Sequence, residues 1–141
     1  DHTEHLTKSD LAMTKYIFIV ERTSTGYSAY AREMSKLPVS TTGKNMRELN
    51  KNILEATNLY RELVDLKPAT KENIVIRLDM QQFFEYYNVI SVKGLAERIG
   101  MNPSLLSQYA NGIKKPSTKQ AHKILDGIKE VGMELSKLEF A

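Results

Sequence analysis

Side chains able to hydrogen-bond with base edges are concentrated in one short segment of this chain. If residues 102–111 form a helix, one exposed side carries Asn102, Ser104, Ser107, Gln108 and Asn111. Amide groups pair with adenine edges, and hydroxyl groups bind bases or phosphates, when such a helix enters the major groove of DNA. Lys114, Lys115 and Lys119 follow directly, and ammonium groups there suit backbone phosphates. The pattern predicts a surface that binds double-stranded DNA.

Positive charge is concentrated around the same segment. Between residues 88 and 123 the chain has six basic residues and one acid, which are Lys93, Arg98, Lys114, Lys115, Lys119 and Lys123 against Glu97. This region therefore carries about +5 at neutral pH. The whole chain of 141 residues carries only +3. Such a local excess favours a polyanionic partner.

Two short helices joined by a tight turn are the elements that would position this surface. Ser91, a further DNA-binding candidate, can cap the first helix, and Asn102 precedes a proline at the first position of the second. Ala96 is small enough for the helices to cross closely, and Gly100 and Gly112 suit left-handed backbone at the two helix ends. The apolar residues that would close the core between the helices are Leu95, Ile99, Met101, Leu106 and Tyr109.

These residues resemble a known DNA-binding family. The pattern Leu95-Ala96-x-x-Ile99-Gly100, then Leu106-Ser107-x-Tyr109, then Gly112-x-Lys114-x-Pro116-Ser117 is similar to the Cro/phage-repressor (Xre) type of helix-turn-helix. The resemblance covers residues 79 to 138 and implies a repressor that binds operator DNA. Gly94 departs from it, because a glycine inside a helix costs up to ~1 kcal/mol relative to alanine. The alternative is a helical hairpin whose polar side chains are merely solvated.

A final helix is predicted to begin at Ser117, whose spacing to Gln120 fits a capping box. Its apolar stripe consists of Ala121, Ile124, Ile128, Val131, Leu135 and Leu138. This stripe can pack within one protomer or against a second copy, and on the second interpretation we expect a homodimer or a higher homo-oligomer.

Strand patterns dominate the first half of the chain. They predict strands over residues 16–20, 27–32, 39–42 and 74–78, with a helix from Asn45 to about Leu66. One stripe of that helix would pack on the sheet and consists of Met46, Leu49, Ile53, Ala56, Tyr60 and Leu63. The predicted fold class is α+β, a small sheet of three or four strands with one packed helix, followed by an all-α domain. We expect a flexible leader at residues 1–12, an α+β domain at 13–78 and the helix-turn-helix domain at 79–141.

The order of these elements resembles the N-terminal domain of HicB antitoxins. The resemblance lies in IFIVERTSTGYSAYA followed by LPVSTTGKNMRELNKNILEATNLYREL. It implies a partial RNase H-like fold that neutralises a small mRNA-cleaving HicA-like toxin, while the helix-turn-helix represses the operon. Tyr30, Arg32 and Glu33 are the candidate toxin-binding residues. Val39 departs from the family, in which glycine often follows the loop proline, here Pro38.

Other function classes find little support in the composition. The chain has no cysteine, its acids are scattered, and His2, His5 and His122 have no catalytic partner at an informative spacing. We therefore expect no catalysis, no metal and no cofactor. No apolar run approaches the ~20 residues of a membrane span, and a cytoplasmic location is the default. A stand-alone repressor with a ligand-sensing N-terminal domain, and an interaction protein with a vestigial helix-turn-helix, remain as alternatives.

Overall fold

A computed structural model describes residues 14–141 of the chain. The predicted leader, residues 1–12, lies outside the described residues. The chain forms two compact units, which follow one another in sequence with the change at Leu78 and Asp79. An α+β unit is followed by an all-helical unit, so the predicted fold class is confirmed.

The N-terminal unit is a mixed four-stranded sheet with one long helix. Its strands are β1 (Tyr16–Thr23), β2 (Gly26–Ala31), β3 (Ser40–Gly43) and β4 (Ile74–Arg77), in the order β3-β2-β1-β4. β1 pairs antiparallel with β2 and parallel with β4, and β2 pairs antiparallel with β3. Helix α1 (Met46–Leu63) and a 3₁₀ turn (Lys71–Asn73) make the crossover from β3 to β4.

Strand alternation places the core of this unit on one face of the sheet. Phe18 and Val20 of β1 lie opposite Ala31 and Ala29 of β2, and all four side chains are buried. Leu49 and Ile53 of α1 complete the same cluster. Because successive side chains of a strand point to opposite faces, the intervening residues of β1 and β2 form a second face that α1 does not cover.

The end of α1 differs from the sequence prediction in two respects. The helix ends at Leu63 instead of Leu66, because Asp65 adopts a left-handed backbone with φ of 63° and the Leu66 N–H bonds to the Arg61 carbonyl. Leu63, expected on the packed stripe, is 79% exposed, so that part of the prediction is wrong. The buried side continues through Thr57 and Arg61 instead.

The chain that follows α1 explains this change of side. Asn58 bonds to both the N–H and the carbonyl of Ala69, and the Arg61 Nε donates to the Lys67 carbonyl. The Arg61 Nη1 also donates to the Tyr16 hydroxyl on β1. These bonds fold the segment after the helix over the side that carries Arg61, which leaves this arginine 1% exposed.

The C-terminal unit consists of four helices. They are α2 (Met80–Tyr86), α3 (Val92–Ile99), α4 (Pro103–Ala110) and α5 (Thr118–Ser136). The buried core combines α2, α3, α4 and α5 through Phe84, Leu95, Ala96, Met101, Leu106, Tyr109 and Ile124, with Ile99 partly buried against it. None of the described helices is long and apolar enough to span a membrane.

Only part of the predicted apolar stripe on α5 is buried within the protomer. Ile124 is fully buried, and Ala121, Ile128 and Val131 are half-buried. Leu135 is 62% exposed, and Leu138 lies beyond the end of the helix at Ser136, which corrects the prediction that it belongs to the helical stripe.

Candidate nucleic-acid interface

The N-termini of α3 and α4 are built by the two capping residues that the sequence predicts. The Ser91 Oγ accepts a hydrogen bond from the Gly94 N–H at 3.0 Å. The Asn102 Oδ1 accepts from the Ser104 N–H at 2.8 Å and from the Leu105 N–H at 3.4 Å. The Asn102 Oδ1 already accepts two bonds, so Asn102 can approach DNA through its amide donors, whereas the Ser91 hydroxyl accepts one bond and keeps its O–H donor and a second lone pair.

Gly94 is less unfavourable than its place in the sequence pattern indicates. It lies in the first turn of α3, three residues after the capping Ser91, and not in the middle of the helix. The cost of glycine relative to alanine applies to helix interiors. The departure from the family pattern therefore leaves the capped helix end intact.

The turn between α3 and α4 depends on one left-handed residue. Gly100 has φ of +67°, and this allows the Met101 N–H to reach the Ala96 carbonyl at 2.9 Å. Apart from Gly100 itself and its two chain neighbours, no described residue has an atom within 4 Å of the place where a Gly100 Cβ would be, so the backbone angle and not crowding requires glycine. Ala96 is fully buried in the core of the unit, as its small size predicted.

A closer helix contact, which the sequence analysis missed, lies at Gly127 of α5. A Cβ on this residue would come closer than 3.0 Å to the Ile99 Cγ2 of α3. Gly127 is buried, so α5 approaches the helix pair with no room for a methyl group. The sequence did contain a signal for this contact. Gly127 lies three residues after Ile124 and four before Val131, which places a glycine beside the predicted apolar stripe.

Side chains on α4 differ in how much of their hydrogen-bonding capacity is free. Asn111 Nδ2 donates to the Ser107 carbonyl at 2.9 Å and to the Ser107 Oγ at 3.3 Å. Ser104 and Gln108 are exposed, and Ser107 is half-buried. Among the described residues the Gln108 side chain makes no hydrogen bond, so its amide can present a donor and an acceptor to a base edge.

The loop after α4 holds the predicted phosphate-binding lysines. Gly112 has φ of +71°, and the N–H groups of Ile113 and Lys114 both donate to the Gln108 carbonyl, at 2.9 and 3.3 Å. Lys114, Lys115 and Lys119 are exposed, and within residues 14–141 none of them forms an ion pair. Their charge is available to DNA phosphates.

Arg98 does not contribute free charge to this surface. Its Nη1 lies 2.6 Å from the Glu134 Oε2 of α5, so the guanidinium group is already paired. Lys93 remains exposed at the start of α3, where it lines a shallow hollow with Val92, Pro103, Ser104 and Ser107. The free positive charge therefore lies at the helix N-termini and in the loop after α4.

The candidate toxin-binding residues lie together in the N-terminal unit. The Tyr30 hydroxyl donates to the Glu21 Oε1 at 3.4 Å. Glu33 pairs with Lys36 at 3.0 Å and with Arg32 at 3.6 Å. The hydrogen bond from Lys36 lowers the pKa of Glu33, and the charge of Lys36 acts in the same direction.

Comparison with known proteins supports the assignment of a helix-turn-helix to the C-terminal unit. Residues 90–134 match the family model described as a helix-turn-helix, a segment that includes α3, α4 and most of α5. No curated protein and no solved structure matches the chain. The matched segment contains both capped N-termini, the left-handed turn and the lysine loop. The C-terminal unit therefore contains a DNA-binding helix-turn-helix of the Xre type.

Proposed function

We propose that this protein is an operator-binding repressor that also acts as the antitoxin of a HicA/HicB-type toxin-antitoxin system. The observation that carries the DNA-binding part is the Gln108 amide, which has no hydrogen bond among the described residues, beside a loop whose lysines have no ion pair there. The antitoxin part rests on the resemblance of the N-terminal strands and helix to HicB. The proposal contains no catalytic step, no metal and no cofactor, and it assigns the protein to the cytoplasm, where its DNA and toxin are found.

A homodimer is part of the proposal, because a repressor dimer reads two half-sites about 34 Å apart, one turn of DNA. The side of α5 next to its buried face carries small and apolar residues at alternating steps of four and three, namely Ala121, Leu125, Ile128, Gly132 and Leu135. Leu125 is 45% exposed, and a Cβ on Gly132 would meet no atom within 4 Å from residues 14–141, apart from its chain neighbours and the backbone of α5. This spacing suits the packing of a second α5 helix.

The second face of the sheet supports docking of a protein partner. We call it the open face, and it consists of Ile17, Ile19, Tyr30, Val75 and Arg77. Ile17 pairs with Val75 across β4, and Ile19 pairs with both Tyr30 and Arg77. Tyr30 and Val75 are each 36% exposed. An apolar centre next to a tyrosine and an arginine is a composition that protein interfaces favour.

Growth rescue tests the antitoxin role. We would co-express the chain with the product of the short reading frame next to its gene and measure colony formation. We expect wild-type protein to rescue growth. A Tyr30→Ala, Arg77→Glu double variant should rescue it poorly, because the open face has lost the aromatic ring of Tyr30 and carries a negative charge in place of Arg77. Lys114→Ala is the matched control and should rescue fully, since its change lies in the DNA-binding loop. Failure of the wild-type chain to rescue growth would contradict the antitoxin role.

Small-molecule sensing is the second candidate, and one feature of the N-terminal unit favours it. A cleft of about 210 Å³ has Lys15, Arg32 and Lys36 in its wall together with Glu33, which pairs with Arg32 and Lys36, so the wall offers a small polar ligand both positive and negative groups. A metabolite that changes the affinity of the protein for DNA, without any effect on toxin rescue, would support this candidate. Failure to bind any DNA at low salt would instead indicate a vestigial helix-turn-helix.

A further inference from the structure

Gln81 stands outside the helix-turn-helix pair and outside the matched segment, yet it contacts the end of α4. It lies in the first turn of α2 and is exposed. Its side-chain amide covers Gly112, since a Cβ on that glycine would come closer than 3.0 Å to the Gln81 Oε1 and to 3.0 Å from its Cδ. Any residue other than glycine at this position would push the amide away.

The contact places the Gln81 amide next to the loop that carries the unpaired lysines. Gly112 directly follows Asn111, and Lys114 comes two residues later with its N–H bonded to the Gln108 carbonyl. Among the described residues the Gln81 side chain makes no hydrogen bond. An exposed amide that has no hydrogen-bond partner in this part of the chain keeps two donor hydrogens for a ligand.

We propose that Gln81 binds a phosphate of the DNA backbone through its Nε2, beside the phosphates that Lys114 and Lys115 bind. The inference rests on DNA binding by the helix-turn-helix. Gly112 then has two roles, because its left-handed backbone ends α4 and its missing side chain admits the amide. A phosphate contact of this kind fixes the register of the protein on the duplex without reading sequence.

A neutral amide and a lysine leave different signatures in a salt titration. Lysine contacts release counterions, so each one adds about one unit to the slope of the logarithm of affinity against the logarithm of salt concentration. A hydrogen bond from an amide to a charged acceptor raises affinity but releases no counterion, and it accounts for about tenfold in affinity. Loss of Gln81 should therefore weaken binding without changing the slope.

The experiment uses the full chain and a 30-base-pair duplex of mixed sequence, because a phosphate contact needs no operator. Kd is measured by fluorescence anisotropy at several salt concentrations between about 50 and 200 mM. Over this range, proteins that contact phosphates lose much of their affinity. We expect Gln81→Ala to raise Kd about tenfold with an unchanged slope. Gln81→Glu should raise it further, because the carboxylate repels phosphate. Lys114→Ala should raise Kd and make the slope shallower.

Gln82 provides the matched control. It is the neighbouring glutamine, and its side chain accepts from the Asp79 N–H in the cap of α2 instead of covering Gly112. Gln82→Ala should lower the melting temperature and leave Kd unchanged at a temperature where the protein is folded. If Gln81→Ala binds with the Kd of the wild-type protein while Lys114→Ala binds weakly, the role of Gln81 is overturned and DNA binding by the helix-turn-helix is not. Absence of duplex binding by the wild-type chain would overturn both this inference and the proposed function.

Discussion

Two glycines of α5 provide a direct test of how closely that helix packs. Gly127 is buried against the Ile99 Cγ2, whereas a Cβ on Gly132 would have no atom within 4 Å in the described structure outside its chain neighbours and the backbone of α5. We compare Gly127→Ala with Gly132→Ala in the full chain. Both changes replace glycine by alanine in the same helix, so both gain about 1 kcal/mol of helix propensity. Only the change at residue 127 adds a methyl group where there is no space.

The magnitude follows from the stiffness of the neighbouring side chain. Ile99 is β-branched and has one preferred χ1 rotamer in a helix, so its Cγ2 cannot move away without a shift of α3 or α5. Overpacking of this kind costs about 1–3 kcal/mol. Since the propensity gain is common to both variants, this cost should equal the difference in their free energies of unfolding. Gly132→Ala should be stabilised by up to about 1 kcal/mol.

Urea denaturation followed by far-UV circular dichroism measures this difference. The slope of free energy against urea should stay the same in both variants, so that a change in midpoint reports stability. The protein concentration is kept low and equal, because Gly132 lies on the stripe that we propose for a second copy. Equal stabilisation of the two variants, within about 0.5 kcal/mol, would refute the close contact between α5 and α3.

Three further predictions concern α1 and the DNA surface. Thr57→Val should raise the free energy of unfolding by about 1 kcal/mol, because the buried Thr57 Oγ1 has no hydrogen-bond partner in the described part of the chain; a lower urea midpoint would show that the hydroxyl is used. Asp65→Gly should raise it by about 0.5–1 kcal/mol, as measured by thermal unfolding, because φ of 63° is strained for aspartate; a lower melting temperature would indicate a role for the carboxylate. Gln108→Ala should lose discrimination at one base position of a selected operator, whereas Lys114→Ala should weaken binding to all duplexes in competition assays. Equal loss on specific and random DNA for Gln108→Ala would contradict the assigned side of α4.

Local signals in the sequence were sufficient for the boundaries of most elements. Ser91, Asn102 and Ser117 cap the helices that they were predicted to cap, and Gly100 and Gly112 adopt the left-handed backbone expected of them. These features depend on hydrogen bonds and backbone angles within four residues. The amino acids alone therefore specify them. The strand order along the chain and the α+β class were predictable for the same reason, from residue periodicity.

The sequence by itself determined where the helices of the DNA-binding surface begin and end, and which polar side chains they carry. Only the tertiary structure decided which of these groups are free. Arg98 is neutralised by Glu134, 36 residues away, and Gln81 is brought onto Gly112 from another helix. The tertiary structure also decided that Arg61 and not Leu63 is buried, because the chain after α1 folds back over one side of that helix. Contacts between distant residues depend on which surfaces meet when the core closes, and periodicity within one helix contains no information about its partner.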